Sequence, residues 1–139
     1  MIEKNYENNY KTTAQDFVRF KKEAEYWIER FGMFDIELCI EHCQTEEDAR
    51  AFATSDMESK TCCITLQKDW NATPEETEIE KIAFHEVLEI LFGDLWYLAN
   101  SRFTTELEME AARHRIIRIF ENCFWKQDFL KRKKGNKKT

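Results

Sequence analysis

Three polar side chains interrupt an apolar run. From Ile82 to Phe92 the chain reads Ile-Ala-Phe-His-Glu-Val-Leu-Glu-Ile-Leu-Phe, with His85, Glu86 and Glu89 set among large hydrophobics. On a helix, His85 and Glu89 stand four apart and leave from one face, while Glu86 turns to a neighbouring face. An imidazole and a carboxylate on one face can share a metal ion. A second carboxylate beside them can take a proton from metal-bound water. A His-Glu-x-x-His helix does zinc chemistry in this manner, with its Glu as general base. Here the second His is replaced by Glu89.

A catalytic zinc takes three protein donors and keeps a fourth position for water. His114 is the candidate for the third donor. A turn over Asn100-Ser101-Arg102 is expected to join two antiparallel helices, and residues equidistant from such a turn lie level with each other. Glu89 and His114 are equidistant from a point between Ser101 and Arg102. Leu107, Ala111 and His114 recur at i, i+4 and i+7, a face able to meet the preceding helix. The spacing therefore predicts that His85, Glu89 and His114 converge on one metal, with Glu86 activating water. Two imidazoles and one carboxylate set one negative ligand against Zn²⁺ and preserve its Lewis acidity. A carboxylate in place of a nitrogen relaxes the preference for zinc over Mn²⁺ or Fe²⁺. A helix with one His and two Glu has no special meaning alone; the level-matching is what makes a site.

The elements that would hold these residues are legible in the pattern. Phe17, Phe20, Ala24, Trp27, Ile28 and Phe31 form one helical stripe over 13–31, opened by Thr13 and Asp16 in a capping box and closed by Gly32. Phe34, Ile36, Leu38 and Ile40 then alternate with polar residues as a half-buried strand, and His42 is read as a surface strand residue rather than a ligand. A second strand over 49–55 puts Ala49, Ala51 and Ala53 on one face. A third over 60–67 does the same with Cys62, Ile64 and Leu66, sending Cys63 to the opposite side as a structural thiol. Short connections favour antiparallel pairing. Thr73-Pro74-Glu75-Glu76 has the form of a helix start, so the site helix is expected over 73–99, weakened at Gly93-Asp94. Thr105 and Glu108 open the last helix. These elements make an α+β chain with a single domain over 13–130, a loose arm over 1–12 and a basic disordered tail over 131–139.

Composition narrows the function classes. The 139 residues hold 42% hydrophobic residues and only three Gly and one Pro, which suits one cored domain with long regular elements. There is no early apolar run of signal-peptide form, and no stretch of about 18 apolar residues for a membrane span. The five cysteines form no Cys-x-x-Cys pair, so reduced thiols in a cytoplasmic protein are expected. Net charge is −6, yet Lys131, Arg132, Lys133, Lys134, Lys137 and Lys138 all fall in the last nine residues, leaving an acidic body. That argues against broad nucleic-acid binding, except through the tail.

A Trp-containing first helix leads into Phe34-Asp35-Ile36-Glu37-Leu38. Thr61-Cys62-Cys63-Ile64-Thr65-Leu66 follows, with Trp70 shortly after. The series ends with Ala83-Phe84-His85-Glu86-Val87-Leu88-Glu89 and Ala111-Ala112-Arg113-His114-Arg115-Ile116-Ile117. In this order the pieces resemble minimal zincin-type metallopeptidases, and more closely small phage and bacterial proteins with a zincin-like core. The resemblance spans about residues 13–125, with Glu89 standing where the family pattern has His. It implies an N-terminal helix, a three-stranded mainly antiparallel sheet and two antiparallel C-terminal helices carrying the metal. It also implies a zinc-dependent peptidase or hydrolase of the bacterial or phage-infected cytoplasm. One of the strands between 49 and 67 would bind extended substrate. The Glu89 replacement motivates an alternative: an inactive zincin-like module that engages a host or partner protein. A di-iron bundle is excluded, because no Glu-x-x-His pair is present.

Overall fold

The first long helix sets the frame. In the computed structural model, which describes residues 9–137, α1 spans Ala14–Phe31. Thr13 accepts from the Asp16 amide at 3.0 Å, and the Asp16 carboxylate accepts from the Thr13 amide at 2.9 Å. This reciprocal box satisfies two donors that a helix start leaves open. Gly32 ends the helix at φ 66, ψ 33, where a side chain would crowd the backbone. Phe20, Ala24 and Phe31 are buried from this helix.

The arm expected over 1–12 is described only in its last part, residues 1–8 lying outside the described residues. There it is not loose. Tyr10–Lys11 forms β1 and pairs antiparallel with β5, Asp69–Trp70, far along the chain. Thr12 follows, donating its amide to Lys68 O at 2.8 Å and its hydroxyl to Gln67 O at 2.9 Å.

The main sheet holds β2 (Glu37–Cys43), β3 (Ala51–Asp56) and β4 (Thr61–Gln67) in the order β2-β4-β3. The β3–β4 hairpin is antiparallel as expected, but β2 and β4 run parallel. The mainly antiparallel sheet is thus corrected to a mixed one. Residues 44–50 pass from β2 to the far side of β4, and Gln67 pins that crossing. Its buried side chain accepts from the Thr45 amide at 2.9 Å and donates to Thr45 Oγ1 at 2.7 Å and Glu47 O at 3.1 Å. Alternation tells which face a residue takes, not which strand lies next to it.

Helices cover one face of this sheet. Cys62, Ile64, Leu66 and Ala51 are buried there against Phe20, Ala24, Ile79, Ala83, Val87 and Leu91. Each large apolar side chain so buried contributes about 1.5–3 kcal/mol. On the other face Glu37, Cys39, Glu41, Thr54 and Asp56 meet solvent.

Helix α2 spans Glu78–Leu91, not the expected 73–99. Residues 73–77 are instead a turn whose end is held by two arginines. Arg50 pairs with Glu78, while Arg19 takes Glu80 through two nitrogens at 2.7 and 2.8 Å and Glu76 O at 2.7 Å. The helix breaks at Phe92 (φ −87, ψ 0), and α3 (Gly93–Asn100) begins there. Helix α4 (Glu106–Phe120) opens on the expected Thr105–Glu108 box. It continues through a π-helical turn at Glu121–Trp125 into α5 (Lys126–Asn136). Residues 131–136, expected in a disordered tail, are therefore helical, and 138–139 lie outside the described residues. The fold is α+β, and no helix among the described residues is long and apolar enough to cross a membrane.

Candidate functional site

Helix α2 divides the three polar residues between its two sides. Ile79, Ala83, Glu86, Val87, Ile90 and Leu91 are its buried stripe. His85 and Glu89 leave from the solvent side, where His85 Nε2 lies 3.3 Å from Glu89 Oε1 with the side chains 67% and 60% exposed. Glu86 belongs to the inward stripe and is only 6% exposed. Burial pushes its carboxyl above the usual range; His85 opposes the shift and Glu89 adds to it. No hydrogen bond from a described residue reaches that carboxylate.

His114 does not join this pair. Ala112, Ile116 and Cys123 are buried on the inward side of the α4 helix and its π turn. Leu107, Ala111 and His114, the stripe expected to meet the site helix, are all exposed, Leu107 at 78%. Arg115 is the polar residue that turns toward the fold. Its Nη2 donates to Asp35 Oδ1 at 2.9 Å, and its Nη1 lies 3.9 Å from Asp94 Oδ2. The level-matching fails for a specific reason. It assumes one straight helix up to Asn100, whereas the break at Phe92 gives α3 the packing against α4. The metal-binding atoms of His85, Glu89 and His114 do not form a group. Two donors are one short of the three a catalytic zinc takes from protein, so the arrangement does not fit that centre.

A cleft opens beside the pair instead. It has a volume of about 800 Å³ and is lined by Ala53, Ser55 and Met57 on the β3 side, and by Glu89, Phe92, Gly93, Trp96 and Tyr97 on the helix side. Among the described residues β3 is an edge strand, paired only with β4. The small side chains expected of this strand are what leave the space. A Cβ at Gly93 would press on Met57 Cε, the movable end of a flexible side chain just past β3. Lys60 Nζ donates to Asp94 Oδ1 at 2.5 Å and Tyr97 Oη donates to Glu58 Oε1 at 2.8 Å, tying α3 to the β3–β4 turn. Trp96 is 73% exposed on the rim.

Two further polar groups stand apart from the α2 pair, and the first departs from its expectation. His42 is not a surface residue, because it shares phase with Leu38 and Ile40 and so lies beneath α1. Its ring stacks on Phe17 with centroids 5.1 Å apart, and Nε2 is 2.8 Å from Thr12 Oγ1. Burial, then the charge of Lys68, lowers its pKa, while Asp16 opposes them. Cys63 does face away from Cys62, as alternation requires. The parallel register then sets it directly opposite Cys39, and the metal-binding atoms of Cys39, Glu41 and Cys63 all lie within 4.8 Å of one another. The signal for this was the Cys39-x-Glu41 alternation, unreadable without knowing that β2 neighbours β4.

Compared with known proteins, the chain matches no family model, no curated protein and no solved structure.

Proposed function

We propose that the chain is a zincin-like binding module that takes an extended segment of a partner protein along the free edge of β3. One observation carries this reading: the cleft between that edge and the α2–α3 break, walled by Phe92, Trp96 and Tyr97, beside a His85–Glu89 pair with no third donor among the described residues. An unpaired strand edge offers backbone donors and acceptors to an incoming strand, and aromatic walls add area and selectivity. The zincin-like frame is supported by element order. A leading helix, a mixed sheet with an antiparallel edge strand, and a His-Glu helix packed behind that strand follow one another along the chain. Five unpaired cysteines suit a reducing compartment such as the cytoplasm.

An arrayed library of short unstructured peptides tests this. A binding peptide is expected to slow amide exchange in 51–56, and Trp96→Ala should weaken it by about 1–2 kcal/mol, the scale of an aromatic anchor. If no peptide protects those amides, the reading fails.

A second reading keeps the same cleft and adds hydrolysis by a zinc-dependent peptidase. It is favoured by Glu86, a residue only 6% exposed whose carboxyl pKa is raised by burial, as suits a general base. Zn²⁺, or Mn²⁺ or Fe²⁺, would then be held by His85, Glu89 and His114, which requires α4 to turn from the facing that leaves His114 in solvent. This reading requires metal that stays bound after purification, loss of that metal in His114→Ala, and loss of hydrolysis in Glu86→Gln with the metal retained. Metal content that ignores His114→Ala excludes it.

A further inference from the structure

We infer that Cys39, Glu41 and Cys63 form a binding site for a thiophilic divalent cation on the solvent face of the sheet, opposite the face that α2 covers. Cys39 and Cys63 are register partners on adjacent parallel strands, so their side chains leave the same face at the same level. Glu41 is two residues along β2 and returns to that face. Cys39 Sγ donates to Glu41 Oε1 at 3.5 Å, and the donor atoms of all three residues lie within 4.8 Å of one another. They line a concavity of about 510 Å³ whose walls also carry Glu37 and Asp56, an acidic setting that favours a cation.

The donor set chooses the ion. Two sulfurs and one carboxylate oxygen suit Zn²⁺ or Cd²⁺ and not Mg²⁺ or Ca²⁺, which take oxygen ligands. Three protein donors leave a fourth position for water. On binding, each thiol loses its proton to solvent and gives its sulfur lone pair to the metal. Glu41 lends a carboxylate oxygen, and no electron is transferred.

The test uses the full chain, reduced and stripped of metal, titrated with Cd²⁺ in excess Mg²⁺. A thiolate-to-cadmium charge-transfer band should saturate at one Cd²⁺ per chain. Alkylation mapped by mass spectrometry should show Cys39 and Cys63 protected by Cd²⁺, with Cys43 unchanged. Cys39→Ser, at an exposed position, should weaken binding by more than about tenfold while the circular dichroism stays native. A band that survives Cys39→Ser undiminished, or thiols that alkylate equally with and without Cd²⁺, overturns the inference. The double variant His85→Ala/Glu89→Ala separates this site from the cleft: it should leave the band intact, and losing the band there would place the cation on α2 instead.

Discussion

Arg115 Nη2 donates to Asp35 Oδ1 at 2.9 Å, and this contact accompanies the outward turn of His114, its neighbour in the chain. Successive residues on a helix are about 100° apart, so an inward Arg115 beside buried Ala112 and Ile116 sends His114 to solvent. The guanidinium also lies near Asp94, which Lys60 holds at 2.5 Å, so α3, α4 and the entry to β2 are joined by one charge network. Arg115→Ala is expected to cost about 1 kcal/mol, with the loss smaller in high salt. His114→Ala should change stability by less than about 0.5 kcal/mol. Urea unfolding at low and high ionic strength measures both; a larger effect at His114 would contradict this facing.

Glu86 makes stability depend on pH. Its carboxyl is raised by burial, so its contribution is fully present below the unfolded pKa and is lost as pH rises through the folded value. Glu86→Gln removes the charge and keeps the shape. The variant should match the parent in mild acid and be the more stable of the two at neutral pH and above. Melting temperatures across that range decide it, and parallel curves would mean that Glu86 ionises without penalty.

Asp16 has the opposite sign. Burial pushes its carboxyl up, but hydrogen bonds from Tyr10 and Thr13, with the charge of Arg19, outweigh this and leave the pKa lowered. The stability it supplies is present above the unfolded pKa and is lost as pH falls through the folded one. Asp16 also completes the cap of α1 and accepts from Tyr10 Oη at 2.5 Å, tying β1 to that helix. Asp16→Ala should cost about 2 kcal/mol at neutral pH, combining a lost cap and a charged hydrogen bond. The gap should narrow in acid, and denaturant midpoints taken at both pH values will show whether it does.

Arg19 grips the first turn of α2 with a planar fork, since Nε and Nη2 reach the two oxygens of Glu80 and Nη2 also reaches Glu76 O. A lysine keeps the charge and loses the fork. Arg19→Lys is therefore expected to cost about 1 kcal/mol, modest because the pair is partly solvated. An unchanged unfolding midpoint would show that charge alone suffices there.

The sequence determined what depends on near neighbours. Thr13 with Asp16, Gly32, and Thr105 with Glu108 set helix ends through contacts a few residues apart, so those boundaries are correct. Period-two alternation assigned Cys62 and Cys63 to opposite faces for the same reason. The pairing of His85 with Glu89 needed only one helical turn. Tertiary structure decided what depends on distant partners. Gln67 holding the 45–47 crossing makes β4 central and sets Cys39 beside Cys63. Phe92 turns the weakening expected at Gly93-Asp94 into a full break, and Arg115 finds Asp35, far away in sequence. The third donor expected of His114 required both a straight helix and a chosen face of α4. Periodicity offered two stripes on that helix, and only packing could select the one that buries Ala112 and Ile116 and leaves His114 in water.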